Sequence, residues 1–479
     1  MKTGTRPRVV IVGGGFGGLW AAQALRKAPV QVTLLDRQNH HLFQPLLYQV
    51  ATAALNPSDI AQPIRRVLRK QANAEVLLGE AVSVDLDGKR VQLRDGKSVA
   101  YDRLILATGA THSYFGHPEW EASAPGLKTI DDALEIRRRM LVAFEAAERE
   151  EDPALRAALV TFAVIGAGPT GVEMAGALAE ISRQVLQRDF RHIDPAAARV
   201  LLIEAGPRIL AAYAPESSAS AQRQLERLGC ELRLGKAVTA VGPNGISLGD
   251  ETIGTRTVIW AAGVQASPLA RSLGVPLDRA GRVHIQSDLS LPGHPEVQVI
   301  GDLASLEQDG KPIPGLAPAA MQMGRQAARN VERAMAGQRV LPFRYVDKGT
   351  LATIGRARAV AERGKIRIGG FLAWLVWLLV HIFFLIGFRN RFLVLFEWAW
   401  VYFRNERGAR LITGDVEKLL DRACGVTEDQ EVIAPGCPAR SDAARPTLGD
   451  ASERIWRAKA IQRWENEGGH CFEGHRPPD

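Results

Sequence analysis

Two glycine-rich turns carry the residue types and spacing that could do chemistry. In the first, the apolar run Arg8 to Val12 leads into Gly13-Gly14-Gly15-Phe16-Gly17-Gly18, then the helical stretch LWAAQALRKA and the strand-like QVTLLD ending at Asp36. In the second, TFAVIG leads into Gly166-Ala167-Gly168-Pro169-Thr170-Gly171, then VEMAGALAEISRQVL and RVLLIEA with Glu204. Glycines at these positions allow a tight turn and close approach of a pyrophosphate. The helix start supplies N–H groups and a positive dipole end, and the carboxylate can accept from a ribose hydroxyl. Each stretch is therefore expected to form a β-turn-α-β unit that binds a dinucleotide. Glu204 lies 33 residues after Gly171 whereas Asp36 lies 18 after Gly18, so an inserted loop near RDFRHIDP is expected.

The elements that position these turns repeat. Gly166 follows Gly13 by 153 residues, and Gly263 of Ala261-Ala262-Gly263 follows Gly109 of Ala107-Thr108-Gly109 by 154, both triplets ending apolar strands. Two marks at one spacing indicate a duplicated nucleotide-binding domain. A further strand, EVQVIGDLA with Gly301-Asp302, comes after the second unit, as if the first domain resumed there. Asp302 could hydrogen-bond ribityl hydroxyls; a surface Gly-Asp turn is the alternative. The expected fold class is α/β, with two Rossmann-like dinucleotide-binding domains, the second inserted in the first, and a C-terminal α-helical membrane-attachment region. The expected boundaries are 1–118 with 278–345, 119–277 and 346–423, followed by a polar tail, 424–479, without assigned function.

Composition narrows the class. The 479 residues are 46% hydrophobic and 23% charged, which suits two or three folded domains and excludes a small disulfide scaffold. Cys230, Cys424, Cys437 and Cys471 have no CxxC or CxxxxC spacing, so neither a zinc site nor a redox disulfide is expected and a reducing compartment fits. His470, Cys471 and His475 end a polar tail and are read as no metal site, and Ile455, Trp456, Ile461 and Trp464 could line one short helix there. The start of the chain runs directly into the first strand, with no apolar signal core, so export is not expected.

The net charge of +8 collects around an abruptly apolar stretch, residues 369–403. From Phe371 to Phe388 only His381 is markedly polar, which reaches the lower length bound for a spanning helix. Phe392 to Phe403 is too short to return, and Glu397 within it would be costly in lipid. Trp374, Trp377, Trp398, Trp400 and Tyr402 are of the type that sits at interfaces. Arginines flank every side: Arg356, Arg358, Arg363 and Arg367 before, Arg389 and Arg391 between, Arg404, Arg407 and Arg410 after. A helical hairpin lying in one leaflet beside anionic headgroups fits better than a single crossing; a true span and a buried core or dimer helix are the other readings. Membrane lipid, not nucleic acid, is the expected partner of the basic excess.

Taken together and in order, VVIVGGGFGGLWAAQAL, DRQNHHLFQPLLYQVATAAL, VIGAGPTGVEMAGALAE, VIGDLA, PGLAPAAMQMGRQAARN, YVDKGTLATIGRARAVA and GFLAWLVWLLVHIFFLIGFRNR resemble the type II NADH dehydrogenases, single-subunit NADH:quinone oxidoreductases, over about residues 8–415. The resemblance implies non-covalent FAD in the first domain, NADH in the second, and quinone entering from the membrane. Gly13, Gly15, Phe16, Gly17, Gly18, Asp36, Arg37, Ala107, Thr108, Gly109, Gly301, Asp302 and Ala319 fall on the FAD side. Gly166, Gly168, Pro169, Thr170, Gly171, Glu204 and Gly263 fall on the NADH side. The Glu at the position of Glu173 is, in the family, a proposed proton carrier near nicotinamide and flavin; a capping or ion-paired Glu is the alternative. Glu204 also has a direct physical reading, since its carboxylate repels a 2'-phosphate and so favours NADH over NADPH.

One departure stands out. Where many members have AQxxxQ, this chain reads Ala317-Pro318-Ala319-Ala320-Met321-Gln322. Proline suits a first helical turn, so the helix should survive, and Gln322, one turn along, could still bond a quinone carbonyl. Ala317, Pro318 and Gln322 are thus the expected quinone contacts, with Glu173 and Gln322 as catalytic candidates. The implied reaction passes hydride from NADH to flavin N5 and two electrons on to quinone. No array of charged membrane helices exists to pump protons. A disulfide reductase is disfavoured because HHLFQPLLYQV stands where CxxxxC would be. The rival from another class is an NADH-responsive flavoprotein like the apoptosis-inducing factors, acting mainly by binding or redox sensing. The expected location is the cytoplasmic face of the cell (inner) membrane, peripheral or monotopic, with a homodimer possible.

Overall fold

The computed structural model describes residues 6–187, 189–386, 388–404, 409–413 and 416–424. The expected tail helix, the tail histidines, Cys437, Cys471 and Arg407 lie outside them. Two parallel sheets organise the chain. In the first, Arg8–Val12 pairs with Gln31–Asp36 on one side and Arg103–Leu106 on the other; Ala74–Leu78 extends one edge and His294–Val299, then antiparallel Ser290–Leu291, the other. In the second the spatial order is Cys230–Leu234, Arg199–Glu204, Thr161–Ile165, Thr257–Trp260. Because His294–Val299 completes the first sheet only after the whole second sheet has been made, the second unit is an insertion in the first. The antiparallel pair Ala110–His112 and Val264–Ala266 forms where the chain leaves and returns. All five residues of Thr161–Ile165 are buried, four of them apolar, as expected of a parallel strand covered on both faces.

Helix α1 (Phe16–Ala24) and helix α2 (Ile130–Arg149) belong to the first half of the chain. Helix α3 (Pro169–Glu180) follows the second glycine turn and continues into a π-helical turn, Ile181–Val185. That continuation, with the loop before Arg199, accounts for the long spacing from Gly171 to Glu204. Helix α4 (Ala317–Met335) lies on α1 so closely that a Cβ on Gly324 would come 2.2 Å from the Gly17 carbonyl oxygen.

The C-terminal region departs from the all-helical expectation. It opens as a three-stranded antiparallel sheet, Thr350–Gly355, Arg358–Arg363 and Ile366–Gly369. The first two strands show no alternation, each burying three consecutive residues, Ala352 to Ile354 and Ala359 to Ala361, so no period of two marked them in the sequence. This sheet rests on α3: a Cβ on Gly176 would sit 1.8 Å from the Ile354 carbonyl oxygen, so only glycine lets the two backbones meet. At the far end of the same region Val416–Cys424 packs Leu420, Ala423 and Cys424 against Ala146, Ala147 and Leu159, beside α2. It belongs to the body of the protein, not to an apolar attachment face.

Between them stand helices α5 (Gly370–Phe384) and α6 (Phe388–Arg404). At about 1.5 Å per residue α5 is about 22 Å long, short of the ~30 Å hydrocarbon core. No described helix is long and apolar enough to cross a membrane. One face of the hairpin is seated on the protein through Ala373, Trp377, Leu385 and Val394. The buried Asn390 side chain donates to the carbonyls of Ser58 (2.8 Å) and Asp59 (2.9 Å). The opposite face exposes Phe371, Leu372, Leu375, Leu379 and Phe383 on α5 and Phe392, Leu395 and Phe396 on α6. Of the flanking arginines, Arg367 pairs with Glu216, Arg410 with Asp189, and Arg391 donates to the Leu385 carbonyl, so part of the basic excess is used within the protein.

Candidate active site

The first glycine turn is shaped from both sides. Gly13 has φ +107°, and a Cβ there would meet the Ala107 carbonyl oxygen at 2.3 Å; one on Gly18 would meet the Gly13 oxygen at 1.8 Å. Gly15, which caps α1, has nothing within 4 Å of the same probe position, leaving open space at the helix N-terminus. Asp36 accepts from the amides of Gly14 (2.5 Å) and Gln38 (2.7 Å). Burial raises its pKa, while those two amides and the nearby Arg37 pull it down. Each carboxylate oxygen retains a lone pair for a hydroxyl. The Thr108 hydroxyl is buried without a partner, next to Gly109 at φ +67° in open space. Asp302 follows Gly301, itself at φ +69°, and faces Gly315, whose Cβ position is 3.2 Å from Asp302 Oδ1. An orphaned hydroxyl, an open helix start and a tethered carboxylate fit the hydroxyl-rich, anionic body of FAD. In the same turn Phe16 meets His41 and Phe43 edge-on at 5.0 and 5.8 Å, and Gly17 lies against Ile300.

The second turn repeats the first. Gly166 has φ +97° and abuts Ala262, Gly171 lies 1.8 Å from the Gly166 oxygen on the same test, and Gly168 is open. Pro169 and Thr170 start α3 and are exposed. Glu204 accepts from the amides of Ala167 and Gly206, each at 2.8 Å. Gly263 lies under Phe115, whose ring would be 2.6 Å from a Cβ there.

Beyond the second turn, α3 carries Glu173 into a cavity of about 90 Å³. Its walls come from four places: Tyr48, Gln49 and Thr52; Glu173, Glu180 and Gln184; Thr353 and Arg356; and Trp374, Trp377 and Trp398 of the apolar hairpin. Burial pushes the Glu173 carboxyl up to about 8, only partly offset by the Thr353 backbone. Glu180, one face along α3, accepts from the Arg356 amide. Trp398 Nε1 donates to Gln49 Oε1 (2.7 Å), and Gln49 Nε2 to the Tyr48 hydroxyl (2.8 Å).

Gln322 is elsewhere. Its amide donates to the Val346 carbonyl and accepts from the Val346 amide, both at 3.0 Å, so both ends brace the chain leading to the C-terminal sheet. It does not line the cavity. One N–H and one lone pair of the Gln322 amide are thus engaged, and its second N–H is left for another acceptor. Pro318 does occupy the first turn of α4, between Ala317 and the buried Ala319, where its missing N–H breaks no helical bond.

Two further groups were missed. Burial lowers the Lys128 pKa, opposed in part by the nearby Asp302 carboxylate, and the Lys128 carbonyl accepts from Gln44 Nε2 at 3.2 Å. The Tyr48–Gln49 pair belongs to the stretch that carries the resemblance, yet nothing in its local pattern marks it as a cavity wall. Cys230 is buried with its thiol pushed up to about 12, and Cys424 is half-buried, so neither is a reactive thiol at the turns. Among the described residues no group of three or more His, Cys, Asp or Glu could hold a metal.

Comparison with known proteins agrees with this geometry. Residues 7–324 match the pyridine nucleotide-disulphide oxidoreductase family, and 348–405 match the NDH2 C-terminal domain. The chain is 47% identical over 423 residues to a type II NADH:quinone oxidoreductase, Ndh, of Mycobacterium tuberculosis, covering 85% of this chain and 90% of that one. It is 45% identical to a second, NdhA, from the same organism, covering 86% and 91%. The solved structure of NDH2 from Plasmodium falciparum with NADH superposes with a TM-score of 0.78 at 19% identity, covering 85% of this chain and all of that one, a likeness of fold.

Proposed function

This chain belongs to the type II NADH:quinone oxidoreductases, and from that premise we propose how its own residues carry the reaction. It is a flavoprotein that oxidises NADH and reduces a quinone. FAD, when bound, supplies the redox chemistry, taking hydride from NADH and giving two electrons to quinone. Gly13, Gly15, Gly18, Asp36, Thr108 and Asp302 hold that cofactor: the glycines admit the pyrophosphate to the α1 N-terminus, and the carboxylates and hydroxyl take its hydroxyl groups. Gly166, Gly168, Gly171 and Glu204 hold NADH in the same manner. Glu204, fixed by the amides of Ala167 and Gly206, sets a negative charge where a 2'-phosphate would come and so selects NADH over NADPH.

The observation that carries the acceptor side is the cavity joining Glu173 to the tryptophans of the hairpin. We assign it to the quinone. Glu173, raised to about 8, holds a proton at pH 7 and can release it to an acceptor oxygen as reduction proceeds. Its wall of Trp374, Trp377 and Trp398 excludes water from that transfer. Ala317 and Pro318, at the N-terminus of α4, present positive dipole to the flavin side. We take 119–277 as the NADH-binding unit and the rest, up to residue 345, as the FAD-binding unit.

We further propose that the exposed apolar faces of α5 and α6 attach the protein to one leaflet on the cytoplasmic side, peripheral and without proton pumping. Purified protein oxidising NADH in vesicles should leave no proton gradient of its own. Pairing of two copies, which the family reading allows, is read by light scattering of the flavin-loaded protein.

The test is steady-state oxidation of NADH and of NADPH by vesicle-reconstituted protein with a short-chain quinone. Fast quinone-dependent oxidation with NADH and little with NADPH is expected. Flavin that NADH reduces but no quinone reoxidises would overturn the acceptor assignment and favour the redox-sensing reading.

A further inference from the structure

Three tryptophans wall the cavity, and the indole N–H groups of two of them are in opposite states. Trp398 Nε1 is satisfied, donating to Gln49 Oε1 at 2.7 Å. Trp377 is 2% exposed and its Nε1 is buried without a partner among the described residues. An indole nitrogen can only donate, and a buried donor left unpaired costs about 1–3 kcal/mol; Nε1 shows no surface to the cavity that its residue lines, so a small turn of the indole that meets an acceptor there recovers that cost.

The ring that carries it packs on two neighbours. The Trp377 ring packs on Trp398 at 5.2 Å between centroids and on His381 at 4.4 Å. Its own carbonyl accepts from His381 Nδ1 at 2.7 Å, a bond that fixes the backbone turn of α5 from which the ring projects. Trp398 is fixed in turn by Gln49, and Gln49 by the Tyr48 hydroxyl. The chain Tyr48–Gln49–Trp398 thus aligns one indole so that the next, Trp377, is wedged against it with its N–H unused.

We propose that Trp377 donates its indole N–H to a carbonyl oxygen of the quinone, with Trp398 and Gln49 as the residues that position it. This rests on the reading of the cavity as the quinone site. A quinone supplies what the cavity lacks: a flat apolar ring for the tryptophan walls and a hydrogen-bond acceptor on its edge. The bond holds the quinone ring in the cavity while Glu173 delivers its proton. None of these three residues belongs to the set expected from the sequence, which assigned this contact to Gln322.

The experiment is the quinone dependence of NADH oxidation by Trp377→Phe protein whose flavin content equals that of the unaltered protein. Removing one hydrogen bond while keeping an aromatic wall should raise KM for a short-chain quinone about tenfold and lower kcat less than about threefold. Gln49→Leu should give a smaller shift in the same direction. An unchanged quinone KM in Trp377→Phe would overturn the proposal. Should that variant fail to bind flavin, the infrared carbonyl stretch of quinone bound to the unaltered protein decides: one carbonyl shifted to lower frequency supports the bond, two unshifted carbonyls overturn it. If the unaltered protein reduces no quinone at all, the cavity assignment fails and not merely the role of Trp377.

Discussion

At Gly13 and at Gly166 the backbone takes the same left-handed turn, φ +107° and +97°, and at Gly18 and Gly171 an added Cβ would sit 1.8 Å from a carbonyl oxygen in both. Asp36 and Glu204 are pinned alike, each by two backbone amides. The surroundings then part. Helix α1 is sealed by α4 along Gly17 and Gly324, and carries Trp20 where α3, 153 residues later, carries Glu173. Helix α3 is crossed at Gly176 by the C-terminal sheet, and Glu173 and Glu180 open into the cavity that sheet and hairpin enclose. The turns specify what kind of ligand is bound. Which of the two helices opens into a cavity is decided by the third region laid over it.

The comparison breaks most severely at the turns themselves. Gly18→Ala has nowhere to put its methyl group except into a backbone carbonyl, and should abolish flavin binding, read as loss of the visible flavin absorbance. Gly171→Ala should keep flavin and raise KM for NADH on the order of 100-fold, the scale of misplacing a bound reactant by an ångström. Loss of flavin in both would mean that the units are not independent.

The C-terminal region is tested next by making Leu372, Leu379 and Phe383 all Ser. At about 1.5–3 kcal/mol per apolar side chain, vesicle binding should fall by more than about 100-fold in a co-sedimentation assay, with flavin retained. Undiminished binding would move the attachment surface elsewhere. Glu173→Gln sharpens the contrast between the helices: quinone turnover should drop by about 10²-fold. In the unaltered protein, the protonated form exists below about pH 8, so proton-limited turnover should be present there and decline as pH rises through that value. The variant should lack this decline. The smallest effect is expected at Glu204→Gln, with a change of about tenfold in the NADH to NADPH ratio of kcat/KM, since one unit of charge beside a phosphate is worth about 1.4 kcal/mol.

Both turns and their insertion topology were legible because the chemistry there is local: glycines, a strand before and an acid after lie within one short window. The apolar hairpin was legible in part, since unbroken apolar composition marks it even though the end of its first helix, at Phe384, comes from the extended Leu385 and the Arg391 bond to it. The C-terminal sheet was missed because Thr350–Gly355 is short and its burial is created by α3, distant in sequence. The cavity was illegible for the same reason: residues 48, 173, 353, 377 and 398 meet only through tertiary packing, and no spacing rule links them. The bonds of Gln322 to Val346 were equally illegible, because helical position indicates a face, not which backbone group meets it.

The central claim, that electrons leave through the cavity beside Glu173, is tested most directly by filling it. Ala54 lines the cavity and is half-buried, so Ala54→Trp inserts a side chain more than large enough to block it, away from both glycine turns. Rapid mixing with NADH, followed by quinone, would separate the two half-reactions. The account predicts normal flavin reduction and lost reoxidation by quinone; reoxidation at the unaltered rate would contradict it.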